Sequence, residues 1–188
     1  MAKQENNIVM KNARGMFGDQ VVFKLRAGET ILAAPPIVNT ERVITAEEEA
    51  VREKFRQTVR FAKAAIKDPA KKEAYLAMAK RGQTAFNVAF SDFYFAPEIL
   101  EINPDFYNGV VGDIITITAV DNIKVVSVNV RIIGAGDNLI EQGNAADALD
   151  GMTWKYAATV ANANMAGVKI VATATDIAGN ATILEFVM

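Results

Sequence analysis

Residues 112–133 read GDIITITAVDNIKVVSVNVRII, and their pattern indicates the fold of the second half of the chain. Apolar and polar side chains alternate with a period of two on both sides of Asp121-Asn122, a pair of residues that favours turns. The same alternation recurs in MTWKYAATV, GVKIVATATD and NATILEFVM, with Gly, Asn or Asp between the runs. This pattern predicts an antiparallel β-sandwich of about seven short strands over residues 97–188. The side chains predicted to point inward in the opening stretch are Ile115, Ile117, Ala119, Val126, Val128, Val130 and Ile132.

Upstream of Pro97 the apolar period changes to about 3.6 residues, which is typical of helices. Thr45 and Glu48 form a capping box, so the first helix is predicted to begin there. Asp68-Pro69 supplies the N-cap and the first-turn proline of a second helix, and a third is predicted over residues 84–95. The apolar stripe of the first helix is Val51, Phe55, Val59, Ala62 and Ile66. The inward residues of the second are Tyr75, Met78 and Ala79.

Residues 15–36 read GMFGDQVVFKLRAGETILAAPP, a pattern typical of a β-hairpin. A two-residue turn at Ala27-Gly28 pairs Phe23 with Leu32, and Pro35-Pro36 ends the second strand because proline donates no ladder hydrogen bond. Two strands alone are marginally stable in water, so we expect another surface to cover the apolar side chains. The residues that we expect to mediate self-association are Val21, Phe23, Leu25, Ile31 and Leu32.

These patterns predict an α+β fold in three parts. Residues 1–36 form an N-terminal arm, flexible and polar over residues 1–13, and then the hairpin. Residues 37–96 form a helical region of about three short helices. Residues 97–188 form the antiparallel sandwich.

Three runs of the chain resemble known bacterial sequences: AFNVAFSDFYFAPEI, GVVGDIITITAVDNIKVVSVNVRI and IVATATDIAGNATILEF. The last two resemble bacterial immunoglobulin-like modules, in which the penultimate strand ends in an Asp-x-x-Gly-Asn hairpin, here Asp176 to Asn180. Nearly the whole chain is similar to a bacterial family of unknown function that joins an N-terminal hairpin and short helices to such a module. The resemblance implies an immunoglobulin-like sandwich. It leaves the function open, because such domains serve as adhesins, spacers and assembly units.

The residue types that the chain lacks exclude many activities. The sequence has no cysteine and no histidine, so it has no disulfide, no thiolate nucleophile and no imidazole base or ligand. Serine occurs only at Ser91 and Ser127, which removes most hydrolase chemistry. We therefore predict that the chain is not an enzyme, has no catalytic or metal-binding residues, uses no cofactor and takes no small-molecule substrate.

The sequence also bears on localisation. No apolar run approaches the roughly 18 residues that span a bilayer, and the first residues, MAKQENNIVMKNARG, lack the apolar segment of a signal peptide. We expect a chain without a membrane span that is cytoplasmic or exported by a non-classical route.

The net charge of −2 conceals an asymmetry between the two parts of the chain. Residues 1–96 have 16 basic and 11 acidic residues, a net charge of +5, whereas residues 97–188 have 4 basic and 11 acidic residues, a net charge of −7. Charges of opposite sign on this scale attract within one molecule or between molecules.

Part of the positive charge forms a stripe on the first predicted helix. Three interpretations are open: a solvated helix face, a contact with the acidic half of a chain, or a nucleic-acid surface. The pI of about 5.3 and the neighbouring Glu48, Glu49 and Glu53 disfavour the third. The stripe is Arg52, Arg56, Arg60, Lys63 and Lys67.

Four other patterns each have a structural and a functional interpretation. Gly15 and Gly18 suit a positive φ at the entry to the hairpin better than a phosphate loop, because the flanking elements of such a loop are missing. The pairs Glu98/Glu101 and Asp147/Asp150 have the residue types of a glycosidase centre, but such an enzyme needs a cleft lined with aromatic residues, and several aromatics of this half lie in predicted strands, where we expect them in the core. Loop aspartates either bond their own turns or bind calcium; they are Asp105, Asp113, Asp121, Asp137, Asp147, Asp150 and Asp176.

The third predicted helix is rich in aromatic residues. Either the helix is buried on all sides between the other helices and the sandwich, or its aromatic side chains form an exposed patch that docks a partner. These residues are Phe86, Phe90, Phe93, Tyr94 and Phe95.

The leading functional hypothesis is a non-catalytic structural protein that assembles with itself through its hairpin. A head-to-tail contact of this kind produces rings or filaments, or a surface or virion-like assembly. One alternative is a ligand-binding or adhesive immunoglobulin-like module that uses sandwich loops such as residues 137–152. A second alternative is nucleic-acid binding through the basic stripe.

Overall fold

The computed structural model describes residues 2–4, 10–26, 28–37 and 43–188. The chain divides into two compact units. The first unit comprises residues 1–52 and 80–83, and the second comprises residues 53–79 and 84–188. The predicted domain boundaries after residues 36 and 96 stay predictions.

The first unit contains a four-stranded antiparallel sheet, which we call the N-terminal sheet. Its strands are β1 (Ala2–Gln4), β2 (Gly15–Phe17), β3 (Val21–Arg26) and β4 (Glu29–Ala33), in the order β1-β4-β3-β2. The register predicted for the hairpin is confirmed, since Phe23 pairs with Leu32 and Arg26 with Glu29. Ala27, in the predicted turn, lies outside the described residues.

The prediction of a flexible arm over residues 1–13 is wrong at its start. Residues 2–4 form β1 and pair with residues 30–32 of β4. The edge of a hairpin offers unpaired backbone N–H and C=O groups to any extended segment, whatever the polarity of its side chains. Composition alone therefore gave no sign of this strand. Residues 1 and 5–9 of the predicted arm lie outside the described residues.

Gly15 and Gly18 have the positive φ angles that the structural interpretation predicted, +114° and +52°. They lie at the two ends of β2, where the chain enters and leaves this short edge strand. Glycine adopts this conformation without the steric cost that other residues incur.

Three helices follow, and their starts confirm the predicted caps. They are α1 (Ala46–Ala65), α2 (Pro69–Ala77) and α3 (Ala85–Tyr94). In the capping box the Glu48 amide donates to Thr45 Oγ1 at 3.2 Å, and the Thr45 amide donates to Glu48 Oε2 at 3.3 Å. Asp68 caps α2 by accepting from the amides of residues 70 and 71. Thr84 caps α3.

The helices of the second unit share a small apolar core, but the predicted stripe of α1 is only half right. Ala62 is fully buried, whereas Val51 and Phe55 are 56% and 53% exposed. The reason is length: α1 has 20 residues, while α2 and α3 have 9 and 10, so neither short helix can cover the full length of α1 at 1.5 Å per residue. The core comprises Ala62, Ala65, Tyr75, Ala85, Val88 and Ala89.

Residues 97–188, all of which the structure describes, contain eight strands. They are β5 (Glu98–Phe106), β6 (Ile114–Val120), β7 (Val125–Ile133), β8 (Leu139–Asn144), β9 (Ala146–Asp147), β10 (Thr153–Ala157), β11 (Lys169–Asp176) and β12 (Ala181–Val187). Two antiparallel sheets result, in the orders β5-β6-β10-β9 and β12-β11-β7-β8. Residues of both sheets, among them Ile117 and Trp154 of one and Ile132 and Ile170 of the other, bury a common apolar cluster. The described chain thus has the predicted α+β composition with a sandwich-like pair of sheets.

One inward position in the opening stretch was assigned to the wrong residue. Val126 is 51% exposed, whereas Val125 is buried. The pairing of β7 with β11 shifts at this point, since Thr175 pairs with Ser127 but Asp176 pairs with Val125. A β-bulge adds one residue to one strand, so the side chains beyond it point to the opposite face of the sheet from the one that alternation predicts. The sequence pattern alone does not show where such a bulge lies.

No helix in the described part of the chain is both long enough and apolar enough to cross a membrane.

Candidate association surface and helix–sandwich junction

One face of the N-terminal sheet is apolar. The register pairs Phe17 with Val21 across β2 and β3, and Phe23 with Leu32 across β3 and β4. Residues that pair directly, and residues two apart on one strand, lie on the same face of a sheet. We call this set the apolar face: Phe17, Val21, Phe23, Leu25 and Leu32.

The apolar face is only partly covered. Phe17 is 73% exposed and Leu25 is 41% exposed, while Val21, Phe23 and Leu32 are half-buried. Both edges of the hairpin are paired, with β1 and with β2, so the face rather than the edge is the surface that the hairpin leaves open. Large contiguous apolar patches on soluble proteins commonly mark interaction sites.

Ile31, the other residue predicted to mediate self-association, lies on the opposite face. It pairs with Lys24 and is half-buried. The hydroxyl of the buried Thr30 donates to the Met10 carbonyl oxygen at 3.0 Å. Since Thr30 pairs with Leu25, the main chain at Met10 lies at the Leu25 end of the apolar face.

The predicted basic stripe lies along one exposed side of α1, and its last residue, Lys67, lies two positions beyond the end of the helix. All five of its residues are exposed. Arg56 forms an ion pair with Glu53 at 2.8 Å. The hydrogen bond from Arg56, followed by that from Gln57, lowers the pKa of the Glu53 carboxyl. Acidic neighbours thus compensate part of the stripe, as the sequence suggested.

The aromatic residues of α3 are neither a fully buried wedge nor a free patch. Their rings contact one another and α1: Phe90 lies edge-on to Phe55 with centroids 5.0 Å apart, and Phe93 stacks on Phe61 at 4.5 Å. Phe95 is 55% exposed. The rings therefore bind α3 to α1 and leave one aromatic edge in solvent.

Two asparagine side chains from sandwich turns bind the end of α3, and we call this contact the helix–sandwich junction. Asn180, in the β11–β12 turn, donates through Nδ2 to the carbonyl oxygens of Asp92 at 3.0 Å and Phe93 at 3.3 Å. Asn122, in the β6–β7 turn, donates to the Ser91 carbonyl at 3.1 Å and to the Ser91 hydroxyl at 2.7 Å. The last carbonyls of a helix commonly lack intrahelical donors; Asn180 supplies one to Asp92 and Phe93, and Asn122 adds a second donor to the Ser91 carbonyl, which also accepts from the Phe95 amide at 3.1 Å.

Asp92 lies fully buried at the centre of the junction. The Tyr75 hydroxyl of α2 donates to its Oδ2 at 2.8 Å. Burial raises the pKa of Asp92 to about 6; the Tyr75 hydrogen bond acts in the opposite direction, and the charges of Asp176 and Asp121 add to the rise. A buried carboxylate beside two others, with no cation among the groups that shift its pKa, is held at an electrostatic cost.

Replacing Asn180 by alanine is expected to destabilise the second unit by about 2 kcal/mol, because two helix carbonyls and the buried Asp176 lose the same donor. Urea unfolding followed by the fluorescence of Trp154, the single tryptophan, measures this loss. Asn164→Ala, at an exposed loop position, is the control and should change the stability by less than about 0.5 kcal/mol. Equal effects of the two substitutions would contradict the role of the junction.

A second buried carboxylate lies within the sandwich. Glu141 of β8 is 6% exposed, and its Oε2 accepts from the Tyr156 hydroxyl at 3.0 Å, the Thr159 amide at 2.8 Å and the Thr159 hydroxyl at 2.6 Å. Burial, together with the Glu141 hydrogen bond, raises the pKa of Tyr156 to about 12. This cluster ties β8, in one sheet, to β10 and the segment after it.

The loop aspartates mostly bond their own turns, as the structural interpretation predicted. Asp113 Oδ2 accepts from the amides of Asn108 and Val110 at 2.7 and 2.9 Å. Asp150 Oδ1 accepts from the amides of Met152 and Thr153 at 3.0 and 2.7 Å. Hydrogen bonds, first from the Thr153 side chain and then from these amides, lower the pKa of Asp150 to about 2.

Half of the segment 137–152, predicted as a ligand-binding loop, is strand: residues 139–144 form β8 and residues 146–147 form β9. The error arose because Glu-Gln-Gly-Asn has low strand propensity and pairs only because β7 offers its edge. Among the described residues, no group of three or more acidic side chains is arranged to hold a metal ion.

Sequence reasoning missed the junction, although one signal was present. Asp92 is the single charged residue in the aromatic helix AFNVAFSDFY, and a charge within an apolar helix indicates either an exposed side or a buried partner. Choosing between these requires the position of Tyr75, which lies 17 residues away.

Comparison with known proteins identifies no family. No protein-family model and no curated protein matches the chain. Among solved structures, an engineered protein from the Northeast Structural Genomics Consortium is 13% identical with a TM-score of 0.34, over 58% of this chain and 30% of that one. The N-terminal part of the bacterial S-layer protein SbsC is 16% identical with a TM-score of 0.32, over 76% of this chain and 40% of that one. The chain thus spans less than half the length of either structure, and likenesses this low support no conclusion about fold or function.

Proposed function

We propose that this chain is a non-catalytic structural protein that self-associates through the apolar face of its N-terminal sheet. The exposure of Phe17 and Leu25 on that face is the observation that carries the proposal. Complete burial of one such side chain contributes about 1.5–3 kcal/mol, so an interface that covers this face has a substantial driving force. The chain has no histidine and no cysteine, which also favours a structural role over a catalytic one.

A second copy of the same chain is the proposed partner. Residues 1–96 have a net charge of +5 and residues 97–188 a net charge of −7, so the basic part of one copy and the acidic part of another attract each other. A contact between different surfaces of two copies leaves one surface of each free. Such a contact extends into a ring or a filament.

We further propose that the sandwich is an immunoglobulin-like module. Its strand orders support this. If β5 to β12 are strands A, B, C, C′, D, E, F and G, the sheets are A-B-E-D and G-F-C-C′, which is the constant-domain arrangement with one added strand. A module of this kind suits a spacer or assembly unit because its two sheets bury a common core.

Replacing Phe17 by aspartate is expected to raise the dissociation constant of self-association at least tenfold, about 1.4 kcal/mol, because the interface then buries a charge in place of an aromatic ring. Sedimentation of the full chain over a range of concentrations at low salt measures this change. Met16→Asp is the matched control, since Met16 is the adjacent residue, is 63% exposed and pairs with Val22 on the opposite face. It is expected to change the constant less than about threefold.

Two results would overturn the proposal. One is a wild-type chain that stays monomeric at the highest concentrations in low salt. The other is an equal effect of Phe17→Asp and Met16→Asp. If Phe17→Asp does not fold, Leu25→Asp replaces it in the test. Leu25 lies near the other end of the apolar face, in β3, and its substitution should weaken association in the same way.

A further inference from the structure

Three carboxylates converge at the helix–sandwich junction, each from a different element. Asp92 belongs to α3, Asp121 follows β6, and Asp176 ends β11. Asp92 and Asp176 are 0% and 3% exposed. The buried oxygens Asp92 Oδ1 and Asp121 Oδ1 have no hydrogen-bond partner among the described residues.

The donors in this cluster are unevenly distributed. Asp176 accepts from the Gly179 amide, the Asn180 amide and Asn180 Nδ2, all at 2.7 Å. Asp121 Oδ2 accepts from the amides of residues 123 and 124, each at 2.8 Å. Asp92 has the Tyr75 hydroxyl on Oδ2 and, as a weaker donor, the Ala178 amide, which also lowers its pKa. Asp92 is therefore the most buried of the three and the one with the weakest set of donors.

The groups that face Asp92 are a phenol, a backbone amide and two further acids. Tyr75 belongs to α2, the Ala178 amide to the β11–β12 turn, Asp176 to β11 and Asp121 to the β6–β7 turn. A proton on Asp92 removes one of three neighbouring negative charges. It also adds a hydrogen-bond donor to a cluster in which the buried Asp121 Oδ1 has no partner among the described residues.

We infer that the helix–sandwich junction is a pH-sensitive latch, which takes up one proton from solvent on Asp92 in mildly acidic medium and then holds the helices to the sandwich more firmly. The inference is independent of the proposed self-association. The pKa of Asp92 is about 6 in the folded chain, against an ordinary value of 3.8. Since the folded chain binds this proton more tightly than the unfolded chain, the added stability is complete below about pH 4 and is lost as the pH rises through 6.

Urea unfolding of the full chain at about pH 5 and about pH 7.5, followed by Trp154 fluorescence, tests the latch. The wild-type midpoint is expected to fall by about 1 M urea between the two conditions. Asp92→Asn has the shape of the protonated acid and no charge, so its midpoint should be independent of pH over this range. Asp19→Asn, at an exposed position in the first unit, is the control and should retain the wild-type fall.

Three outcomes would overturn the latch: a wild-type midpoint that does not fall, a fall that Asp92→Asn retains, and a fall that Asp19→Asn abolishes. If Asp92→Asn does not fold, the carboxyl carbon resonance of Asp92 in the wild-type chain decides the question. A titration midpoint near pH 6 supports the latch, and one at or below about pH 4 excludes it.

Discussion

Replacing Gly109 by alanine is expected to lower the free energy of unfolding of the second unit by about 3 kcal/mol or more. Gly109 is buried in the loop between β5 and β6 with a φ of +82°. An added Cβ would overlap the backbone oxygen of Asn162 and lie 2.8 Å from the Met165 sulfur. The Asn162 amide already donates to the Gly109 carbonyl at 2.8 Å, so neither backbone can move away without losing this bond. Urea unfolding followed by Trp154 fluorescence measures the effect.

Gly112→Ala separates the two causes of this effect. Gly112 also has a positive φ, +97°, but no atom lies within 4 Å of the place that its Cβ would occupy. Gly112→Ala should therefore lower the free energy of unfolding by only about 1–2 kcal/mol, the cost of holding an alanine at a positive φ. If the two alanine variants lose the same stability, close packing of the loops at this end of the sandwich is not what requires glycine at position 109.

Replacing Glu141 by alanine is expected to destabilise the second unit by about 2–4 kcal/mol. The substitution leaves the Tyr156 hydroxyl and the Thr159 amide without their acceptor, and a buried donor without an acceptor loses its hydration with no compensation. Glu141→Gln should lose less, since an amide oxygen can still accept from two donors. The measurement is the same urea unfolding.

The neighbouring residue Gln142 provides the control for this prediction. It is exposed on the same strand and pairs with Arg131 of β7, so Gln142→Ala changes strand composition without touching the buried cluster. We expect a change below about 0.5 kcal/mol. A loss after Glu141→Ala no larger than that after Gln142→Ala would mean that the cluster contributes nothing to stability.

The local features of this fold were predictable from sequence. The capping box at Thr45 and Glu48, the cap at Asp68 and the register of the hairpin all agree with the structure. Each depends on residues no more than about a dozen positions apart, so the chemistry that fixes them is visible in one short window.

The features that the sequence did not predict depend instead on residues far apart in the chain. The strand at residues 2–4 exists because β4 offers an edge some 30 positions away. The exposure of Phe55 follows from the unequal lengths of the helices. The exchange of Val125 and Val126 follows from a bulge against β11. In each case a neighbour distant in sequence decided the outcome, and no periodic pattern records such a neighbour.

The candidate association surface was predictable from sequence only in part. Alternation in β3 and β4 is enough to place Val21, Phe23, Leu25 and Leu32 on one face, because side chains of a strand alternate whatever surrounds it. It did not predict that β2 adds Phe17, the most exposed residue of that face.

The order of residues alone thus determined the type of each main element, the turn chemistry and the residue types that rule out imidazole and thiol reactions. Which polar groups are buried together depends on the folded chain. Asn180 and Asp92, which meet at the junction, are 88 positions apart, and the burial that raises the pKa of Asp92 arises where α2 and two sandwich turns contact α3. Desolvation depends on everything within a few ångströms of a group, and that set is fixed only when the chain has folded.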